Sequence, residues 1–177
     1  FRTLYMLIVF GGLPGTGKTT IAKRIAQAIS ACYLRIDSIE QSLIQASTVE
    51  NNTVGAAGYN IANIIADDNL KLGQIVIADC VNPLSITRTA WQNIAAKANT
   101  PLVEIEIICS DLAQHRMQVE QRVADIIGHQ LPDWDNVMDR EYEWWDSADI
   151  VIDSAVTSVE LAVEMILYRL QKLKRKH

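Results

Sequence analysis

The residues with the clearest chemistry lie in the segment GLPGTGKTT, which reads Gly12-x-x-x-x-Gly17-Lys18-Thr19. It directly follows a short apolar run and directly precedes an amphipathic stretch, so it would connect a strand to a helix. Glycines there let successive backbone N–H groups turn inward around phosphates, and the helix N-terminus adds a positive dipole end. The segment predicts a nucleotide site whose contacts come from Gly12, Leu13, Pro14, Gly15, Thr16, Gly17, Lys18, Thr19 and Thr20.

This spacing is that of the Walker A motif, in which two side chains have defined roles. Lys18 would reach the β- and γ-phosphates, and the Thr19 hydroxyl would bind a magnesium ion. Asp79 closes the apolar run QIVIAD and would hold the same ion through water; alternatively, it orients a second substrate. The expected cofactors are therefore ATP and Mg²⁺, with a preference for ATP over GTP left open.

The class of reaction follows from residues that the sequence lacks. An ATPase motor would carry a glutamate beside the strand-closing Asp to activate water, whereas Asp79 is followed by Cys80. A switch GTPase would carry an Asn-Lys-x-Asp guanine reader, and no such string occurs. Phosphoryl transfer to an acceptor other than water is therefore the leading interpretation among the many functions of this type of domain.

Two residues are candidates for the acceptor side of that reaction. Asp37 ends the run LRID, where a carboxylate could accept the proton of an attacking hydroxyl or hold the acceptor in line. The alternative interpretation is an N-cap for the helix that begins SIEQSL, and the two roles are compatible. Arg88 could reach the acceptor from the helix after the third strand; alternatively, it has no role in the site.

Arginines could neutralise the charge of the transferred phosphoryl group. Arg116 and Arg122 lie on one predicted helix, but six residues place them about 120° apart. Only one of them therefore needs to face the nucleotide. For each arginine, the alternative is a position on the solvated face of the helix. The irregular segment 128–146 breaks the alternation of strands and helices, which predicts a lid over residues 116–146. Packing of the lid or core is the favoured interpretation for its tryptophans, Trp134, Trp144 and Trp145.

Five apolar runs alternate with amphipathic stretches, which is typical of a parallel sheet covered by helices on both faces. The predicted strands are YMLIVFGG, CYLRID ending at Asp37, QIVIADC, PLVEIEIICS and DIVID. Helices are expected at about 18–31, 38–47, 58–72, 85–98, 111–127 and 157–175. The sequence thus predicts one α/β domain over residues 1–177, with ligands at the carboxyl ends of its strands.

The composition limits the kinds of molecule that the protein is expected to bind. The chain has 177 residues and a net charge of −5, which opposes binding to nucleic acid or to anionic membranes. No apolar run approaches the roughly 20 residues of a membrane span, and the three cysteines lie in apolar surroundings as expected of reduced thiols. We expect a cytoplasmic protein that acts on a small molecule, with its oligomeric state open. The start at Phe1 rather than at methionine is compatible with an upstream segment.

The chain resembles the small P-loop kinases that are grouped with predicted AAA-like ATPases, a set whose relatives include gluconate and shikimate kinases, chloramphenicol phosphotransferase and zeta-type toxins. The resemblance rests on GLPGTGKTT, LRIDSIEQSL, IADCVNPLSITRTAW, and the long segment from His115 to Asp146 followed by IVIDSA. It implies a P-loop three-layer α/β/α fold with strand order 2-3-1-4-5, Mg-ATP in the P-loop, and adenine near residues 154–157. It also implies an acceptor base at Asp37, acceptor contacts from Arg88, and lid arginines at Arg116 and Arg122.

The sequence departs from this pattern at one position. Shikimate-type kinases carry a second carboxylate two residues after the first, and here that position is Ile39, which argues against a polyol held by two such carboxylates. Three other functions stay open: a toxin-like regulator that acts with a protein partner, a slow ATPase, and a kinase of nucleic-acid ends that uses the basic tail. Four further polar residues are given no role in the site. His115 and His129 are expected at the surface, and Glu104 and Glu106 are expected on a partly solvated face of their strand or on an edge strand.

Overall fold

The computed structural model describes residues 5–46 and 54–174, which form a parallel sheet and its covering helices. The strands are β1 (Leu7–Gly11), β2 (Cys32–Arg35), β3 (Val76–Asp79), β4 (Leu102–Ile108) and β5 (Ile150–Asp153). The helices are α1 (Lys18–Ile29), α2 (Ile36–Ala46), α3 (Val54–Lys71), α4 (Ser85–Lys97), α5 (Leu112–Glu120), α6 (Trp134–Met138) and α7 (Val159–Lys174). The predicted alternation of strands and helices is confirmed.

The strand order is β2-β3-β1-β4-β5, and every neighbouring pair is parallel. This confirms the expected P-loop α/β fold. The register places Arg35 and Phe10 opposite Asp79, and Gly11 opposite Glu106. The carboxyl ends of these four strands, β2, β3, β1 and β4, therefore meet at one edge of the sheet, next to the loop that joins β1 to α1.

The sheet has a hydrophobic core on each face because successive side chains of a strand point to opposite sides. Ile8 and Phe10 pack with α1 and α7, whereas Leu7 and Val9 pack with α3 and α4, whose Trp91 is fully buried. Residues Leu7 to Gly11 of β1 are all buried, as expected of the central strand. This three-layer arrangement gives the loops at the carboxyl edge a rigid base.

Several predicted boundaries were wrong by a few residues. Strand β2 ends at Arg35 rather than at Asp37, and Asp37 lies in the first turn of α2, where its charge complements the helix dipole. Helix α5 ends at Glu120 instead of continuing to about residue 127. Helix α3 begins at Val54, earlier than residue 58. Local patterns predict the type of an element better than its ends, which depend on tertiary contacts.

The prediction of a solvated or edge position for two glutamates was also wrong. Glu104 and Glu106 are only 4% and 9% exposed, because β4 is covered on both sides and lies between β1 and β5. Glu104 accepts a hydrogen bond from Ser147 Oγ at 2.9 Å, and Glu106 accepts one from Tyr142 at 2.8 Å. The segment after α6 thus supplies donors that satisfy these buried carboxylates.

Three further expectations concern membrane-spanning segments, the cysteines and the basic tail. Among residues 5–46 and 54–174, no helix combines the length and apolar character needed to cross a membrane. The three cysteines are free thiols, and Cys80 and Cys109 are buried as predicted. The end of the basic tail, Arg175 and Lys176, lies outside the described residues.

Candidate active site

The loop between β1 and α1 has a backbone that its glycines make possible. Gly12 and Gly15 have φ values of 136° and 85°, in the region that L side chains rarely adopt. A Cβ at Gly12 would lie 2.2 Å from the Ile107 carbonyl oxygen, and one at Gly15 would lie 2.5 Å from the Val119 side chain. No side chain caps the N-terminus of α1, so the N–H groups of its first turn point into the loop as anion donors.

His115 braces this loop, which corrects its prediction as a surface group. It is 3% exposed, and its Nε2 lies 2.8 Å from the Pro14 carbonyl oxygen. Because a carbonyl only accepts, this bond requires the proton on Nε2. The Trp134 ring packs edge-to-face on His115 at 5.2 Å, in agreement with the packing role expected for that tryptophan. Helices α5 and α6 therefore support the P-loop from one side.

Lys18 and Asp79 form a buried ion pair below the loop. Lys18 Nζ lies 3.0 Å from Asp79 Oδ1, and the Tyr33 hydroxyl donates to Asp79 Oδ2 at 2.6 Å. Burial would raise the pKa of Asp79, but Lys18 and the hydroxyls of Tyr33 and Thr19 outweigh it and lower that pKa. Asp79 is therefore an anion at neutral pH, and Tyr33 is a partner of it that sequence patterns did not reveal.

The oxygens of Thr19 and Asp79 suit magnesium. The Thr19 hydroxyl is within hydrogen-bonding reach of the Asp79 carboxylate, and hydroxyl and carboxylate oxygens are ligands that Mg²⁺ prefers. Both Asp79 oxygens already accept hydrogen bonds, from Lys18 and from Tyr33. The arrangement thus fits an ion bound directly by Thr19 and through water by Asp79.

A cavity of about 1130 Å³ opens above the carboxyl edge of the sheet. Of the predicted nucleotide-binding residues, Leu13 to Thr20 line it, whereas Gly12 does not. The loop after β5 contributes Ser154, Thr157 and Ser158, where the resemblance places the adenine. Pockets for one ligand usually occupy about 300–1,000 Å³, and the volume of this cavity lies slightly above that range. The cavity therefore has room for a nucleotide together with a small second molecule.

The wall opposite the P-loop is built from one face each of α2, α3 and α4. Residues three or four apart share a helix face, and this spacing recurs on each of the three helices. The lining side chains on this wall are Ile36, Asp37, Glu40, Ala56, Tyr59, Asn60, Asn63, Ile86, Thr87 and Ala90. Asp37 thus faces the same cavity as Lys18.

Glu40 is a site residue that sequence reasoning missed. It lies three residues after Asp37 on the same face of α2 and also lines the cavity. The second carboxylate expected from shikimate-type kinases would lie two residues after Asp37, at the position of Ile39. Burial and the neighbouring charge of Asp37 raise the pKa of Glu40 to about 7, against a smaller lowering by Arg140. The spacing of three residues between Asp37 and Glu40 is the signal that could have revealed Glu40, because residues three apart share a helix face. It applies only when α2 begins at Ile36, so that Asp37 belongs to the helix.

The raised pKa of Glu40 predicts a pH-dependent effect of Glu40→Gln on stability. The folded protein holds this proton more tightly than the unfolded chain, so ionising Glu40 destabilises the fold as the pH rises from 4.5 to about 7. We expect the substitution to raise the free energy of unfolding by about 1 kcal/mol near pH 8, after allowance for solvent screening, and by less near pH 5. Urea unfolding at the two pH values measures this, with Glu120→Gln as an exposed control; an equal effect at both would contradict it.

The structure separates the two predicted lid arginines. Arg122 lines the cavity, and its Nη1 is buried without a hydrogen-bond partner in the described part of the chain. Arg116 is exposed and bonds through Nε to Glu120 at 2.7 Å, and it does not line the cavity. Val119 lies against Gly15, so Arg122, three residues further on, is on the P-loop side. Of the two predicted lid arginines, Arg122 is therefore the one that faces the cavity, whereas Arg116 is solvated, and a contact of Arg122 with phosphate stays a prediction.

Arg122→Gln is expected to lower kcat/KM for ATP by about 10–100-fold, because it removes a charged donor from phosphate in a partly buried site. Arg116→Gln, six residues earlier on α5, is the matched control and should leave kcat/KM within about twofold, as expected when only an exposed ion pair is lost. Steady-state ADP formation measures both. Equal losses in the two variants would show that the arginines act on the lid as a whole and not on phosphate.

Arg88 has a structural role, so its predicted contact with an acceptor is corrected. The side chain is 4% exposed and is absent from the cavity lining. Every guanidinium nitrogen donates to a backbone carbonyl, and the group also stacks on the Trp145 ring at 4.8 Å. The carbonyls belong to Asn82, Pro83, Glu143 and Trp144. Arg88 therefore joins the loop after β3 to the segment after α6.

Contacts at both ends hold the predicted lid segment to the core. Asp125 accepts two hydrogen bonds from Arg35, at 2.8 and 2.9 Å, and one from Lys23 at 2.8 Å. These partners lower the pKa of Asp125. Further on, Trp145 is buried against Gly11, in agreement with the packing interpretation, whereas Trp144 is 88% exposed. The movement of a lid over residues 116–146 stays a prediction.

The sequence model of the AAA domain family matches residues 7–139 of this chain. A protein of Aeropyrum pernix named "Probable adenylyl-sulfate kinase" is 25% identical over 174 residues, which cover 91% of this chain and 89% of that protein. The family match extends from the start of β1 through α6, so it includes Asp37, Asp79 and Arg122.

Two solved kinases have the same fold. The APS kinase of Mycobacterium tuberculosis, solved with AMPPNP and APS, superimposes with a TM-score of 0.69 and 16% identity, over 95% of this chain and 98% of that chain. A gluconokinase of Sinorhizobium meliloti superimposes with a TM-score of 0.68 and 13% identity, over 99% of this chain and 97% of that chain. The resemblance to small P-loop kinases and the fold expected from it are both confirmed.

Proposed function

Because this chain belongs to the AAA domain family, we propose that it is an ATP-dependent kinase that transfers a phosphoryl group to a hydroxyl group of a small molecule. One observation carries the proposal: the P-loop lysine, Lys18, and the carboxylate of Asp37 face a single cavity with room for two ligands. The kinases named among the relatives and structural neighbours support this class of reaction.

The P-loop would bind the triphosphate of ATP. Its inward N–H groups and the N-terminus of α1 hold the phosphates, and Lys18 moves its ammonium from Asp79 to the β- and γ-phosphates. Thr19 and Asp79 would hold Mg²⁺, which supplies positive charge to the phosphate oxygens. Arg122 would add a further positive charge from beside the P-loop, where its Nη1 lacks a partner within the described structure.

Asp37 would act on the acceptor. Its carboxylate accepts the proton of the acceptor hydroxyl while that oxygen bonds to the γ-phosphorus and the bond from this phosphorus to the β–γ bridging oxygen breaks. ADP then leaves with the electron pair of the broken bond. The Asp37 side chain is 28% exposed and lies 3.8 Å from Arg35, so it is oriented by a neighbouring charge yet open to the cavity.

A screen for stimulated ADP release tests the proposal. Mg-ATP is offered with hydroxyl metabolites, sugars, nucleosides and antibiotics, and with adenylyl sulfate and gluconate because of the kinases named above. Stimulation by one class of compound, lost in Lys18→Ala, is the expected result. Slow Lys18-dependent release that no compound stimulates would contradict a small-molecule kinase.

A nucleotide-dependent regulator that acts with a protein partner is the second candidate. It is favoured by the exposure of apolar side chains in the predicted lid, since Trp144 is 88% and Ile127 is 90% exposed. For this function, a stoichiometric partner should co-purify with the protein and be released by ATP. Trp144→Ser should then weaken the complex while the kinase screen stays flat.

A further inference from the structure

We propose that the acceptor is an amine-bearing alcohol, such as an amino sugar or amino alcohol, whose ammonium group binds Glu40 while its hydroxyl group faces Asp37. This inference rests on the proposed kinase function and names its substrate class. It follows from the charge, the hydrogen-bonding groups and the shape of the wall built by α2, α3 and α4.

The charge of this wall is negative. It carries the carboxylates of Asp37 and Glu40, and Arg140, which lines the same cavity two residues after α6, acts on Glu40 as an opposing charge. The other lysine and arginine of the described cavity lining lie at the nucleotide end, where Lys18 pairs with Asp79 and Arg122 lies beside the P-loop. Arg35, next to Asp37, already binds Asp125. Such a wall repels an anionic acceptor and attracts a cationic one.

The polar groups of the wall need donors from the ligand. Asn63 Oδ1 lies on α3 in the cavity lining and is buried without a hydrogen-bond partner among the residues described. Carboxylates also only accept when they are ionised. An ammonium group and several hydroxyl groups supply donors to Asn63, Glu40 and Asp37 together, whereas a phosphate, sulfate or carboxylate would supply none.

Helix α3 makes room for the Glu40 side chain. A Cβ at Gly58 would lie 2.6 Å from Glu40 Cγ, so the absence of a side chain there lets Glu40 lie against α3. In this position its carboxylate is desolvated and close to Asp37, an arrangement unfavourable to its charge in the free protein. A bound ammonium group would offset the cost of this desolvated charge, which gives the glutamate at this position a function in binding.

The rest of the wall fits an apolar body. Ala56, Ile86 and Ala90 line the same region and offer only aliphatic carbon from their side chains. Asn60 on α3 and Thr87 on α4 are polar exceptions among these lining residues. A ring or short carbon chain that carries both amine and hydroxyl groups therefore matches this wall better than a small inorganic anion does.

Two sets of compounds test the inference. Within each set, the compounds are similar in size but differ in charge. Glucosamine, glucose and glucuronate form one set, and serinol, glycerol and glycerate form the other; each is offered with Mg-ATP. We expect the amine of at least one set to have the highest kcat/KM and the acid to have the lowest. If an acid is best in both sets, the amine assignment is wrong while the kinase function stands. If no compound in either set stimulates ADP release, both are overturned for acceptors of this size.

Glu40→Gln then tests the role of the carboxylate itself. For the amine, we expect KM to rise about 10–100-fold, the usual effect of losing a charged hydrogen bond, with a smaller change for the neutral partner of the same set. Glu120→Gln, on the exposed face of α5, is the control and should change neither. Equal changes in KM for amine and neutral compound, or no change for either, would show that Glu40 does not bind an ammonium group.

Discussion

Asp37→Asn is expected to lower acceptor-dependent ADP formation by about 10²–10⁴-fold, the usual cost of removing a general base. The amide keeps the size of the side chain but cannot take the proton of the attacking hydroxyl. Binding of ATP should not change, because the P-loop and Lys18 hold the phosphates from the other wall of the cavity. Initial rates at saturating acceptor, together with calorimetric titration of the nucleotide, measure the two effects separately.

The neighbouring Arg35 supplies the control for this substitution. Asp37 lies 3.8 Å from Arg35, whose stronger partner is Asp125, at 2.8 and 2.9 Å. Asp125→Asn perturbs Arg35 without touching a residue that lines the cavity. If Asp37 acts on the acceptor, Asp125→Asn retains far more activity than Asp37→Asn does. A similar loss in both variants would show that Asp37 only positions Arg35.

Lys18→Ala is expected to lower kcat/KM for ATP by at least about 10³-fold, because it removes the cation placed to neutralise the β- and γ-phosphates. The same change leaves the buried carboxylate of Asp79 without its cation, with the Tyr33 hydroxyl among its remaining donors. Breaking a buried pair in this way typically costs about 3–5 kcal/mol of stability. Rate assays and urea unfolding should therefore both respond.

Lys18→Arg distinguishes the two consequences. Its guanidinium can still pair with Asp79, so we expect stability closer to that of the wild type, but its planar fork does not reproduce the point charge of the lysine at the phosphates. A stable and inactive Lys18→Arg variant supports a direct role in phosphoryl transfer. Near-normal activity of either variant would contradict the role assigned to Lys18.

The fold and the nucleotide end of the site could be predicted because their signals are local. The glycine spacing around Lys18 encodes the P-loop within one short segment, and alternating apolar runs encode the parallel sheet. Asp79 was identified in the same way, as the last residue of an apolar run. Because the strands are parallel, their carboxyl ends then meet at one edge of the sheet.

The acceptor end could not be predicted to the same extent because it depends on partners that are distant in sequence. Arg35 and Asp125 are 90 positions apart, and nothing in either segment indicates the other. Arg88 has the position of a ligand-binding arginine, yet backbone carbonyls of residues after α6 occupy its guanidinium. Glu40 was missed because a boundary error of one or two residues hid the helical face that it shares with Asp37.

The transfer of labelled phosphate from ATP tests the central claim most directly. The protein is incubated with γ-³²P-labelled ATP, Mg²⁺ and the best acceptor of the screen, and the label is followed into organic product and into inorganic phosphate. We predict that most of the label enters an acid-stable ester of the acceptor, and that Lys18→Ala and Asp37→Asn abolish this product. Label that appears only as inorganic phosphate, whatever acceptor is offered, would contradict a kinase and identify a slow ATPase.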